Sequence, residues 1–136
     1  MIPQRNNIGA YINAVTGIKP TNATTTVNGT GVDRLAYGSA TLFAAVGAAS
    51  GSPSAQSVTY KLQDSADDST YADISTETSA LAAMTADNAT GQLDIDLTGL
   101  RQYVRVVATV SLTGGTSPAI PIAATLVLGG ASVLPV

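Results

Sequence analysis

The sequence contains no histidine, no cysteine and no tryptophan. Without histidine there is no Ser-His-Asp triad, no imidazole base and no imidazole metal ligand. Without cysteine there is no thiolate nucleophile, no thiolate zinc site and no disulfide, so nothing marks a redox compartment. Glu77 is the lone glutamate, and Lys19 and Lys61 are the only lysines. Acid–base chemistry has few groups to draw on, and the expectation is a protein that is not an enzyme and holds no cofactor or metal.

Charge is scarce as well. Six Lys and Arg face nine Asp and Glu in 136 residues, so charged residues are 11% of the chain, where about 25% is ordinary. A net charge of −3 and a pI near 4.4 argue against nucleic acid, which needs a basic face. Yet 45% of residues are apolar and the mean hydropathy is +0.26. A small domain of this kind exposes much uncharged surface, which suits a subunit held inside a larger assembly.

Long hydrophobic runs are missing. The richest segments, LFAAVGAA at 42–49 and AIPIAATLVLGG at 119–130, fall short of the ~20 residues a membrane span needs and are broken by Gly or Pro. The opening MIPQRNNIGA has no continuous apolar stretch of the secretory kind. Asn-x-Thr triplets at Asn22, Asn28 and Asn88 then reflect a Thr-rich composition rather than glycosylation.

What is present is strand patterning punctuated by Gly, Pro, Ser and Thr, in a length that fits one domain. Val58, Tyr60 and Leu62 alternate with Thr59, Lys61 and Gln63, the period of two that marks a half-buried strand. Leu93, Ile95 and Leu97 alternate with Gln92, Asp94 and Asp96. Val104, Val106, Ala108, Val110 and Leu112 form a third inward set, and Ile120, Ile122, Ala124, Leu126 and Leu128 a fourth. Residues 35–46 and 71–75 read as further strands, and 79–86 (SALAAMTA) as a helix of barely two turns. The pattern predicts an all-β antiparallel sandwich over residues 32–136. Residues 1–31, rich in Asn and Thr and broken by Pro3 and Pro20, read as an extended N-terminal arm with short strands at 8–15 and 24–27.

Few residues invite chemistry. Asp64, Asp67 and Asp68 in DSADDSTY suggest calcium, but the spacing is not that of an EF-hand loop, and Asp and Ser are favoured turn residues. Asp94 and Asp96 share a strand face with Cα atoms ~7 Å apart, and read as a solvated face rather than a glycosidase pair. Lys61 has no S-x-x-K spacing and makes no Ser-Lys dyad. Arg101 and Arg105 flank Tyr103 at the start of the longest strand, either as a basic rim or as interfacial arginines that pair with carboxylates. In the arm, Ile2, Ile8, Tyr11, Ile12, Val15 and Ile18 follow no strong repeat, so the arm and the closing residues 132–136 are expected to dock on neighbouring subunits, the alternative for residues 8–15 being an edge strand of the chain's own sandwich. The candidate interface set is Ile2, Ile8, Tyr11, Ile12, Arg101, Tyr103, Arg105, Leu134 and Val136.

From Leu35 onward, over about three-quarters of its length, the chain resembles the cement, or decoration, proteins of tailed-bacteriophage capsids. The resemblance rests on AYGSATLFAAVGAASGSPSAQSVTYKLQDSADDSTYADI, GQLDIDLTGLRQYVRVVATVSLTGGTSP, AIPIAATLVLGG and the closing VLPV. Within it, a KLQ-S-DD-ST-Y-D hairpin at 61–73 precedes L-G-RQYVRV at 97–106. The resemblance implies a jelly-roll-like sandwich on the virion's capsid surface, made in the host cytoplasm, that binds the major capsid protein and self-associates as a dimer or trimer, without nucleic acid or membrane. A neck, tail or head-fibre component is the alternative within the virion. A carbohydrate-binding sandwich is the alternative outside it, disfavoured by five Tyr and one Phe as the whole aromatic supply.

Overall fold

In the computed structural model, residues 7–74 and 80–136 are described. Among these residues nine strands form: β1 (Asn13–Ala23), β2 (Val27–Asn28), β3 (Val32–Asp33), β4 (Tyr37–Val46), β5 (Ala55–Ser65), β6 (Ala72–Asp73), β7 (Thr90–Asp96), β8 (Tyr103–Thr113) and β9 (Ile120–Ala131). One sheet has the order β1-β9-β4-β7; the other has β2-β8-β5-β6, with β3 also on β8. Every pairing is antiparallel. The pairs nest as β1 with β9, β2 and β3 with β8, β4 with β7, and β5 with β6. A ribbon of nested pairs rolled into two facing sheets is a jelly roll, in which β2 and β3 share one strand position.

Alternation selects the core. Val58, Tyr60, Leu62, Val104, Val106, Ala108, Ile120, Ile122, Leu126 and Leu128 are all buried, as are Leu42 and Ala44 on β4. Asp94 and Asp96 face water while Ile95 and Leu97 are buried. Leu93 is only half-buried, because β7 lies at a sheet edge. Val107 is buried although its parity puts it on the opposite face from the core set of β8. Gly114 and Gly115, both at positive φ and pressed against residues 51–54, open the crossing from β8 to β9 in a conformation that a side chain would strain.

Two expectations are corrected. Residues 13–23 are not an arm lying outside the sandwich: β1 runs beside β9 from Asn13↔Leu128 to Ala23↔Ile120. Ile18 and Ala23 enter the core, and Val15 and Val27 pack against it. The weak repeat that suggested an arm comes from register shifts at Thr16/Ile18 and Ile18/Thr21, which break strict alternation. Of the strand expected at 8–15, Ile8–Ala10 is a 3-10 turn.

The expected helix at 79–86 is also absent over 80–86; Ser79 lies outside the described residues. Ala80 bridges Lys61 and Met84 bridges Val58, and Leu81 N–H donates to the Tyr60 carbonyl at 2.9 Å. Two turns of helix are marginal in water, whereas the open edge of β5 offers these residues backbone partners and a core site for Met84.

Candidate interaction surface

The two ends of the described chain meet. The Val136 N–H donates to the Ala10 carbonyl at 3.2 Å, and Ala10, Tyr11, Leu134 and Pro135 line a hollow of about 350 Å³. Around it Ile8 is 60% exposed, Val133 76%, Leu134 49% and Val136 43%, four large apolar side chains facing water on one ledge. Tyr11, which lines the hollow, is half-buried. Of the candidate residues, Ile8, Tyr11, Leu134 and Val136 lie in the two segments that meet here, whereas Ile12 lines a hollow on the outer face of the β1-β9-β4-β7 sheet; Ile2 lies outside the described residues. Val133, missed in the candidate set, was legible as an apolar residue in the terminal VLPV.

Arg101, Tyr103 and Arg105 form a separate group, engaged within the chain. Arg101 grips Asp64 with Nη2 at 2.7 Å and Nε at 3.0 Å from Oδ1, while its N–H donates to Oδ2 at 3.1 Å. Burial would raise the Asp64 carboxyl, but those hydrogen bonds and the guanidinium charge hold it below the usual range. Arg105 donates to Gln63 Oε1 at 2.7 and 2.9 Å and lies 4.1 Å from the Tyr71 ring centroid. Tyr71 in turn donates to Asp68, and burial followed by that bond pushes its hydroxyl up to about 12. Lys61 pairs with Asp73 at 2.8 Å. The Tyr103 hydroxyl accepts from Gln102 Nε2 at 3.3 Å. These arginines tie β5, β8 and the acidic turn together.

The acidic turn is accounted for in the same way. Asp67 Oδ1 accepts from Thr70 N–H at 2.8 Å, Ser69 N–H at 3.0 Å and the Ser65 hydroxyl at 2.9 Å, which lowers its pKa. Asp64, Asp67 and Asp68 therefore serve three different partners, and among the described residues no three His, Cys, Asp or Glu side chains converge.

On the outer face of the β1-β9-β4-β7 sheet, Phe43 is 46% exposed between its cross-strand partners Thr125 and Gln92. A hollow of about 550 Å³ there is bounded by Ile12, Ser39, Thr41, Asp94, Asp96 and Val127. Asp96 accepts from the Thr98 hydroxyl at 2.6 Å and its N–H at 2.9 Å, which lowers its pKa.

Fold and surface together define a jelly-roll β-sandwich with internal ion pairs and exposed apolar side chains where the ends of the described chain meet. The chain is similar in structure to SPBc2 prophage-derived protein YomS, with a TM-score of 0.51 and 16% identity over 86% of this chain and 91% of that one. That likeness shows the shared fold. Neither a protein-family model nor a curated protein matches the sequence. Among the described residues no helix is long and apolar enough to cross a membrane.

Proposed function

We propose that the chain is a structural protein of a bacteriophage virion, a cement protein that seats on the outer capsid surface and clamps adjacent major capsid protein subunits. The observation that carries this reading is the apolar ledge of Ile8, Val133, Leu134 and Val136, which a lone soluble domain leaves in water at a cost. The prophage origin printed for YomS and the hairpin motifs at 61–73 and 97–106 support the same reading. Each contact is small and uncharged, so little desolvation opposes docking, and repetition around a shell adds the contacts by multivalency. On this reading the protein is non-catalytic, self-associates as a dimer or trimer on the shell, and is made in the host cytoplasm.

The test is decoration of expanded shells that lack the protein, with copies counted per particle. A cement protein binds in hundreds of copies, and Ile8→Asp with Leu134→Asp abolishes binding while leaving the melting temperature near native. A count of about six or twelve moves the protein to the neck or tail, where symmetry sets small numbers. Undiminished binding by the double variant overturns the ledge as the contact.

A further inference from the structure

Among the described residues, β7 is the one long, regular strand with an edge that no other strand or bridge meets. β2, β3 and β6 have two residues each, and β1 is broken by two register shifts and carries Pro20, devices that blunt an edge. β7 holds a single register on β4 from Ser39↔Asp96 to Ala45↔Thr90. The bonds from Leu97 N–H to Gly38 and from Val46 N–H to Ala89 bracket this ladder. Antiparallel pairs alternate, so Gly91, Leu93 and Ile95 bond to β4 while the backbones of Thr90, Gln92, Asp94 and Asp96 point to the open side. No strand or bridge among the described residues meets them there.

The surroundings of that edge have a definite chemistry. On the outer face stand Asp94 and Asp96, ~7 Å apart by strand rise. Asp94 Oδ1 takes the Thr41 hydroxyl at 3.0 Å and Gln92 Nε2 at 3.3 Å, both neutral, and no described cation bonds either carboxylate. Arg101, Lys61 and Arg105 are committed to Asp64, Asp73 and Tyr71, and Arg34 to the carbonyls of Leu100 and Arg101. On the other side, Leu81, Ala83, Met84 and Ala89 line a hollow of about 310 Å³ beside Thr90 and Gln92. Pairing β7 with the β7 of a second copy would put four carboxylates on one face with no cation, which disfavours self-association here.

We propose that β7 accepts an extended segment of another protein as an added strand, one carrying Lys or Arg on the face of Asp94 and Asp96 and apolar side chains toward Leu81 and Met84. Backbone hydrogen bonds supply the attachment and the alternating side chains supply selection. This goes beyond the virion reading and stands or falls without it.

The experiment titrates the full chain with acetyl-Arg-Val-Arg-Val-Arg-Val-amide and, separately, with its Glu-for-Arg counterpart, while following amide exchange by NMR. The arginine peptide is expected to slow exchange at Gln92, Asp94 and Asp96, and the glutamate peptide to leave them unchanged. Asp94→Asn with Asp96→Asn keeps the oxygens that accept from Thr41 and Thr98 and should weaken the arginine peptide about tenfold or more in a chain that still melts cooperatively, and Asp94→Lys with Asp96→Lys should reverse the preference. No slowing on β7 at millimolar arginine peptide, an equal response to both peptides, protection at β1 instead, or a peptide-free dimer that protects β7 would each overturn the proposal.

Discussion

The Tyr60 hydroxyl on β5 donates to the Ala45 carbonyl on β4 at 2.7 Å, crossing the core from one sheet to the other. The ring has no solvent exposure, and burial pushes the hydroxyl up to about 12. Tyr60→Phe removes this link and leaves Ala45 its strand partner Ala123. The expected loss is about 1 kcal/mol by urea unfolding, the net worth of one such bond. No loss would mean that packing alone holds the sheets together.

Leu42 and Leu126 face each other across β4 and β9 with no exposure. Leu126→Ala should cost about 2–4 kcal/mol through lost burial and a cavity. Leu134→Ala, on the exposed ledge, should stay within about 0.5 kcal/mol. Equal costs would contradict the assignment of core and ledge.

Stability should be flat through neutral pH and fall at both extremes. Asp64, Asp67, Asp73, Asp87 and Asp96 all lie below their ordinary values when folded. Their stabilising share is complete above the unfolded carboxylate pKa of ~4 and is lost as pH falls through the lower folded values. Tyr60 and Tyr71 are raised to about 12, so their share is complete below the unfolded ~10 and is lost as pH rises toward that higher value. With no histidine, a melting temperature that changes sharply near pH ~6.5 would refute this account.

Arg101→Gln removes the guanidinium that lowers the Asp64 pKa. The variant should melt below the native chain at neutral pH and converge with it in acid, once Asp64 is protonated. A gap that persists in acid would assign Arg101 a packing role instead.

Calcium should leave the melting temperature unchanged, and so should EDTA. Asp67 is occupied by three donors and Asp64 by Arg101, so the acidic turn has no free set of oxygens to offer an ion. A calcium-dependent rise of several degrees would overturn this, because a ligand that binds only the folded state stabilises it.

Period-two alternation determined which faces of β5, β8 and β9 are buried, because one side chain in two must leave water whatever the strand order. Composition alone removed the usual catalytic groups. Where alternation failed, only tertiary structure decided. The register shifts of β1 hid a sheet strand within an irregular sequence. The alanines of 80–86 suited helix locally, yet the open edge of β5 drew them into extended bridges. Arg101 and Asp64 are 37 residues apart, and their pairing follows from the β5–β8 register, which no local spacing encodes. The meeting of Ala10 with Val136 is of the same kind: β1 and β9 are neighbours, so the fold delivers both ends of the described chain to one ledge.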